Sequence, residues 1–337
     1  MIAWEHVIGA APGVSVVIPH RTGKTLLRRI LADVASQSLR PLETIVADDG
    51  SSDESSAIAA EAGARVVHTG GNGGFSRAVN LGIGAACGEL IAIVNNDVEL
   101  PPAWLATLVA ALSDGEYAFA TGKLLQAGHP ELIDGTWDAL CRGACAWRCG
   151  QGRRDGPLWS ERREIALAPL TAAVFRRSVF SVTGLLDERF ESYLEDVDLG
   201  VRCAMAGFRG IYVPEAVARH QGSATLGRWN PDTVRRIARN QLFLAAKYYS
   251  ADLLLRYAWP LLVSHLLWGV VAARHGAGWA YAKGKWAGIR RFRSIRPVDC
   301  TPGDALRRLL TTGEREILEL QRSSGFDPYW KFYFALT

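Results

Sequence analysis

The feature that most constrains this chain is a repeated pairing. A short apolar run is followed at once by polar or acidic residues, and then by a helical stretch. The run VSVVI (14–18) stops at Pro19. The run ETIVA (43–47) ends in DDGSSD, ARVVH (64–68) leads into GGNGGFS, and LIAIV (90–94) ends in Asn95-Asn96-Asp97. Short β-branched runs bounded by breakers predict buried strands. Helical spacing between them, over about 25–38, up to Glu61 and over 77–86, makes the unit β-α-β and the sheet mostly parallel. In such sheets ligands bind beyond the carboxyl ends of the strands. The polar residues that end each run are therefore the candidate chemistry.

A chain of 337 residues with 49% hydrophobic and 21% charged side chains can bury a large core with an appendage. A net charge of +4 is too weak to point to nucleic acid, and none is expected as a partner. The first residues carry no Lys or Arg before the apolar stretch and are interrupted by Glu5, unlike an export leader. The six cysteines are accordingly expected as free thiols. Cys141, Cys145 and Cys149 recur every four residues but match no zinc signature.

Two phosphate-loop readings fail on inspection. Gly23-Lys24-Thr25 lacks the glycine that should stand at position 18, which is Ile18. In GGNGG the third glycine of a dinucleotide fingerprint is replaced by Ser76. The acidic strand ends are more informative. One of Asp48 and Asp53 suffices to cap the next helix, leaving Asp49 free to accept from the ring N–H of uracil or thymine. Asp97 is the charged residue at the fourth strand end and a hard ligand for a cation on a diphosphate, with an Asx turn as the plainer alternative. Glu195-Asp196-Val197-Asp198 opens a helix that ends at Gly207. It reads as a cap or as a general base for a hydroxyl group. His220 reads as a surface histidine or as a ligand to phosphate or metal.

The stretches VSVVIPH, SQSLRPLETIVADDGSSD, GNGGFSRAVNLGIGAACGELIAIVNNDVELPPAWL, FSVTGLLDERFESYLEDVDLGVRCAMAGFRGIYVPEA and RHQGSATLG together resemble family 2 glycosyltransferases, over about residues 13–227. The GNGGFSRAVNLGI and NNDVELP wording is most similar to the rhamnosyltransferase-like branch. The resemblance implies an inverting enzyme of the nucleotide-diphospho-sugar transferase fold. It implies a nucleotide-sugar site formed by Pro19, His20, Asp48, Asp49, Asn72, Arg77, Asn80, Asn96 and Asp97. Asp196 would be the catalytic base with Glu195 beside it on the acceptor side, and Asp97 and His220 would hold a divalent cation, Mn²⁺ or Mg²⁺. Two departures stand out: a single carboxylate in Asn95-Asn96-Asp97, and Thr171-Ala172-Ala173 where relatives often carry Gly-Ala. The insert around Cys141–Cys149 has no counterpart in the pattern.

The expected donor is a dTDP- or UDP-linked sugar, L-rhamnose or a hexose, and the acceptor a lipid-linked or polysaccharide glycan. A non-catalytic partner subunit is the alternative from another class, disfavoured by the intact Asp49, Asp97 and Asp196. The catalytic region is expected over 1–229 and a helical region over 230–337. Within the latter, Tyr257–Ala273 is 17 residues without Asp, Glu, Lys or Arg, the short limit for crossing a bilayer, and it contains Pro260 and His265. Residues 251–300 hold eight Lys or Arg, two acids and four tryptophans. That composition favours a segment lying on the cytoplasmic leaflet, with a buried helical hairpin as the alternative.

Overall fold

A computed structural model describes residues 12–222, 229–297 and 303–337. The opening residues with Glu5, the SATLG stretch of the resemblance (223–227) and Cys300 lie outside them.

The first half alternates as the sequence predicts. Its elements are β1 (Val14–His20), α1 (Lys24–Ala35), β2 (Glu43–Asp48), α2 (Ser55–Glu61), β3 (Arg65–His68), α3 (Phe75–Ala85), β4 (Leu90–Val94), β5 (Val98–Glu99) and α4 (Trp104–Ala110). Next come β6 (Phe119–Gln126), β7 (His129–Gly135), β8 (Asp138–Leu140), β9 (Ala146–Arg148), β10 (Arg163–Ile165), β11 (Ala172–Arg176), α5 (Arg177–Thr183), α6 (Glu195–Met205) and β12 (Gly210–His220). The remainder is helical: α7 (Pro231–Tyr248), α8 (Ala251–Arg256), α9 (Ala258–Arg274), α10 (Gly278–Ile295), α11 (Asp304–Ser324) and α12 (Pro328–Leu336).

The main sheet runs β10-β12-β6-β11-β4-β1-β2-β3. Strands β3, β2, β1 and β4 are parallel, β11 lies antiparallel between β4 and β6, and β12 is parallel to β6. Every residue of β1 and β4 is buried, as central strands covered on both faces must be. Alternate residues supply two cores. Ile18, Val46 and Ala92 pack with Leu27, Ile30 and Leu108 of α1 and α4, while Val17, Ile45 and Ile93 pack with Val79 of α3.

The second core extends beyond the first half. It takes in Trp137, Trp147 and Trp159 from the middle of the chain, and Ile317, Leu320, Trp330 and Tyr333 from α11 and α12. A third core joins Val197 and Val201 of α6 to Phe243 and Leu244 of α7 and Leu309 and Leu310 of α11. Helices of 230–337 thus complete the core of the sheet region. Helix α10 lies close against α7 because Gly284 and Gly288 face it. A Cβ on Gly284 would stand 2.3 Å from the Arg235 carbonyl oxygen, and one on Gly288 2.8 Å from Leu242 Cδ1. Among the described residues no helix is long and apolar enough to cross a membrane.

The cysteine spacing of four does not lie on one helix. Cys141 and Cys145 flank the β8–β9 turn, where the Cys141 amide donates to the Cys145 carbonyl, and Cys149 follows β9. All three are free and fully buried in the apolar core, and burial pushes each thiol up, so they act as small apolar side chains.

Candidate active site

The carboxyl ends of β1, β2, β4 and β12 open on one edge of the sheet. The antiparallel β11 brings its first residues to the same edge, where the Asn95 amide donates to the Thr171 carbonyl at 2.9 Å. At the end of β1, buried His20 accepts from Asn96 Nδ2 at Nδ1 (2.8 Å), which leaves the Nε2 proton for Ser55 Oγ, also at 2.8 Å. Ser55 in turn donates to Asp53. Burial holds the His20 imidazole below its usual range against the pull of Asp48 and Asp53, so it is neutral at pH 7. Pro19 is buried beside it, in register with Ala47.

The paired aspartates do different work. Asp48 accepts from the Ser51 amide (2.8 Å) and from Ser56 Oγ (2.6 Å), closing the turn into α2. Asp49 accepts from Thr69 Oγ1 (2.8 Å) and from the amides of Gly73 (2.7 Å) and Gly74 (2.9 Å). Its carboxylate therefore holds the glycine-rich loop. Asn72 and Arg77 are exposed on and after that loop. Asn80 turns away from it: its amide donates to the Leu186 carbonyl (2.9 Å) and Glu188 (3.1 Å), and its oxygen accepts from the Leu186 amide (2.9 Å). Asn80 thus fastens the 186–188 segment to α3.

Asp97 and His220 come together. Asp97 Oδ1 lies 3.2 Å from His220 Nε2, and the other ring nitrogen donates to Asp134 Oδ2 at 2.8 Å. Burial opposes charge on the ring, but hydrogen bonds to Asp134 and Asp97 outweigh it and raise its pKa to about 9. Without a cation the ring is charged and bridges the two carboxylates. The donor set fits a divalent ion: one hard carboxylate oxygen, one imidazole nitrogen, and a carboxylate that orients the imidazole from behind. Among the described residues no group of three or more His, Cys, Asp or Glu side chains is arranged to hold a metal by itself.

The N-cap of α6 is Leu194, with a left-handed φ of 67°, so Asp196 is not the capping residue. Asp196 Oδ1 accepts from the Val197 amide at 2.9 Å, and Oδ2 accepts from Arg148 Nη2 at 3.0 Å. Arg148 also donates to Asp138 at 3.1 and 3.2 Å and to Thr171 Oγ1 at 3.3 Å. Burial and the charge of Asp138 raise the Asp196 pKa, Arg148 opposes them, and the result is about 6. The Asp196 side chain is 13% exposed, open enough to meet an acceptor hydroxyl. Glu195 is more deeply buried. Its Oε2 has no hydrogen-bond partner among the described residues, and burial together with Asp196 pushes its carboxyl well up. The two carboxyls share one environment in which the protonated form of Glu195 is favoured.

The backbone before α6 is strained. Glu191, Tyr193 and Leu194 all take positive φ, at 62°, 73° and 67°. Helix α7 holds them there. Asn240 Nδ2 donates to the carbonyls of Phe190 (2.9 Å), Ser192 (3.1 Å) and Tyr193 (2.7 Å), and Arg239 pairs with Glu191 at 2.6 Å. The glycine loop closes on the same segment, where the Ser76 amide donates to the Glu191 carbonyl at 2.9 Å and a Cβ on Gly74 would stand 3.1 Å from that oxygen.

Arg148, Asp138, Asp134 and Asn240 are thus site residues that motif reading does not find. The first three sit in the 113–165 stretch, whose short strands give no periodic signal. Asn240 sits on an ordinary amphipathic helix.

A family model described as Glycosyl transferase family group 2 matches residues 90–290, and one described as Glycosyl transferase family 2 matches residues 15–148. The chain belongs to this family, and it is a glycosyltransferase with an α/β fold of the nucleotide-diphospho-sugar transferase type. It is 30% identical over 233 residues to the N-acetylglucosaminyl-diphospho-decaprenol L-rhamnosyltransferase of Mycobacterium tuberculosis, covering 60% of this chain and 74% of that one. It is also 30% identical over 219 residues to the pre-mycofactocin glycosyltransferase of the same species, of which it spans 44%, the match covering 64% of this chain. Among solved structures, GalNAc-T7 with UDP, GalNAc and Mn²⁺ superposes with a TM-score of 0.62 at 16% identity, covering 94% of this chain and 59% of that one. The Pyrobaculum calidifontis mannosyltransferase PcManGT, in complex with GDP-Man and Mn²⁺, does so at 0.52 and 17% identity, covering 97% and 87%.

Proposed function

We propose that this glycosyltransferase moves a sugar, L-rhamnose in the first instance, from a nucleotide-diphosphate donor to a hydroxyl of a lipid-linked glycan at the cytoplasmic face of a membrane. The observation that carries the reading is the meeting, on one sheet edge, of an Asp97–His220–Asp134 cluster suited to a diphosphate and a raised carboxylate, Asp196, suited to a hydroxyl. The mycobacterial rhamnosyltransferase, whose name gives both an L-rhamnosyl transfer and a diphospho-decaprenol acceptor, supports the choice of sugar and acceptor.

In this reading Asp196 takes the proton of the acceptor hydroxyl as that oxygen attacks the anomeric carbon. The new C–O bond forms as the bond to the diphosphate breaks on the opposite face, so configuration inverts. Asp97 and His220 Nε2 would hold a divalent cation, which when bound neutralises the charge developing on the leaving diphosphate. Arg148 keeps Asp196 from rising further, and Asn240 keeps the loop that presents it. Pro19, His20 and Asn96 would line the nucleotide side. Asp49 would act there through the glycine loop it holds, or by exchanging one of its bonds for the base.

The test is a thermal-shift screen of dTDP-, UDP- and GDP-linked sugars with Mn²⁺ or Mg²⁺, followed by product analysis on a polyprenyl-diphosphate-linked glycan. A dTDP-sugar should raise the melting temperature most and be consumed with inversion. Selective stabilisation by a UDP-hexose would move the reading to a hexosyltransferase. No nucleotide sugar bound or hydrolysed would leave a non-catalytic subunit.

A further inference from the structure

Helix α9 buries Pro260, Val263, Ser264 and Ala272 against the rest of the protein and turns Trp259, Leu262, Leu266 and Val270 outward. Those four recur at spacings of three and four, so they form one stripe. A stripe of this kind is anomalous on a water-facing helix, since Leu266 is 61% and Val270 57% exposed. It continues onto α12, where Trp259 Nε1 donates to the Leu336 carbonyl at 2.6 Å and Phe332 and Leu336 are themselves exposed. It is bordered by α10, which exposes Trp279, Trp286 and Ile289.

The charge carried by α9 and α10 themselves has one sign. Between residues 253 and 297 there is no Asp or Glu. Lys283, Arg290, Arg291 and Arg293 are exposed on α10, and none of them forms an ion pair with another described residue. Two of them sit over the exposed indoles, Lys283 Nζ at 5.5 Å from the Trp279 ring and the Arg290 guanidinium at 4.5 Å from the Trp286 ring. Apolar residues flanked by indoles and unpaired cations match the layers of a bilayer surface: acyl chains, the interfacial zone and anionic headgroups. A second copy of the chain fits less well. A two-fold contact would set the same cations against one another.

We propose that the α9–α10–α12 face docks on an anionic lipid bilayer without crossing it, with Trp259, Leu262, Leu266 and Val270 entering the headgroup–acyl boundary and Lys283, Arg290, Arg291 and Arg293 on the headgroups. This deepens the lipid-linked acceptor reading by naming the surface that brings the site to the lipid, yet its test uses neither donor nor acceptor. The full chain is floated with vesicles of phosphatidylcholine containing phosphatidylglycerol, and with phosphatidylcholine alone. It should float with the first, at least tenfold less with the second, and high salt should weaken the first while leaving the second unchanged. The double variant Leu266→Glu/Val270→Glu should lose at least tenfold in vesicle binding with an unchanged melting temperature, because both positions face outward. Arg290→Glu/Arg293→Glu should lose the preference for the anionic lipid while keeping weak binding to the neutral one. No flotation with either vesicle would overturn the proposal, and so would a stable dimer in solution that Leu266→Glu/Val270→Glu converts to monomer. Failure of sugar transfer with vesicle binding intact would count against the function and leave this surface standing.

Discussion

Arg148 and Asp196 are joined by a 3.0 Å hydrogen bond although 48 residues separate them in the chain. The same guanidinium holds Asp138, so one cation serves two buried carboxylates. Removing it should be felt twice. Arg148→Met should cost about 3–5 kcal/mol of stability at neutral pH, the usual cost of stranding buried charge. The loss should shrink as pH falls, because the orphaned carboxylates then take up protons. Urea unfolding at two pH values checks this. An equal loss at both would remove the electrostatic explanation.

The pH dependence of turnover carries a sign. Asp196 must be ionised to accept a proton, and its pKa is raised to about 6. kcat/KM should therefore fall as pH drops through about 6, with a plateau above it. Arg148→Lys, which keeps a charge but loses the fork, should move this limb up. Asp138→Asn, which removes the carboxylate that raises Asp196, should move it down. Opposite shifts in the two variants are the diagnostic result, and a limb that ignores both would place the base elsewhere.

Asp196→Asn should lower kcat by roughly 10²–10⁴ while leaving donor affinity near normal. The helix should survive, because Leu194 and not Asp196 occupies its cap. Calorimetric titration with donor, beside a turnover assay, separates the two effects. A variant that turns over normally would end the assignment.

Chelation should abolish turnover, and Mn²⁺ or Mg²⁺ should restore it. Asp97→Asn and His220→Ala should each remove the metal-dependent part of donor binding. Asp134→Asn, which touches only the far side of the imidazole, should weaken metal affinity by about 10–100-fold and be rescued by excess metal. Full activity in chelator would assign the diphosphate to protein cations instead.

Asn240→Ala should leave the Ser192 and Tyr193 carbonyls without their side-chain donor, while the Phe190 carbonyl keeps Arg239. Each buried group so orphaned costs about 1–3 kcal/mol if water cannot reach it. The strained loop should relax and turnover should fall at least tenfold, with donor affinity changing less than turnover because the glycine loop keeps its bonds to Asp49. A loss confined to melting temperature would make Asn240 a core residue only.

The first hundred residues were legible because parallel strands announce themselves. The central runs VSVVI and LIAIV are buried on both faces, and the polar stop of each run marks the site edge. Asp97, Asp196 and His220 were reachable from their places after such runs or at a helix start. Their partners were not. Asp134 lies 86 residues from His220 and Arg148 48 from Asp196, so only the tertiary packing of the short β7–β9 strands brings them together. Asn80 shows the reverse. Its position beside the glycine loop suggests ligand contact, whereas its amide is spent on the 186–188 backbone, a choice made by tertiary packing.

The two glycines that let α10 press against α7 have an effect beyond packing. Helix α7 is the wall to which the loop before Asp196 is tied, and α10 carries the indoles and cations of the outer face. One packed seam therefore runs from the segment before Asp196 to the outer face, with no linker between them. If the proposed face meets a bilayer, α7 and α10 would set the spacing and angle between that surface and Asp196, because they pack directly on one another.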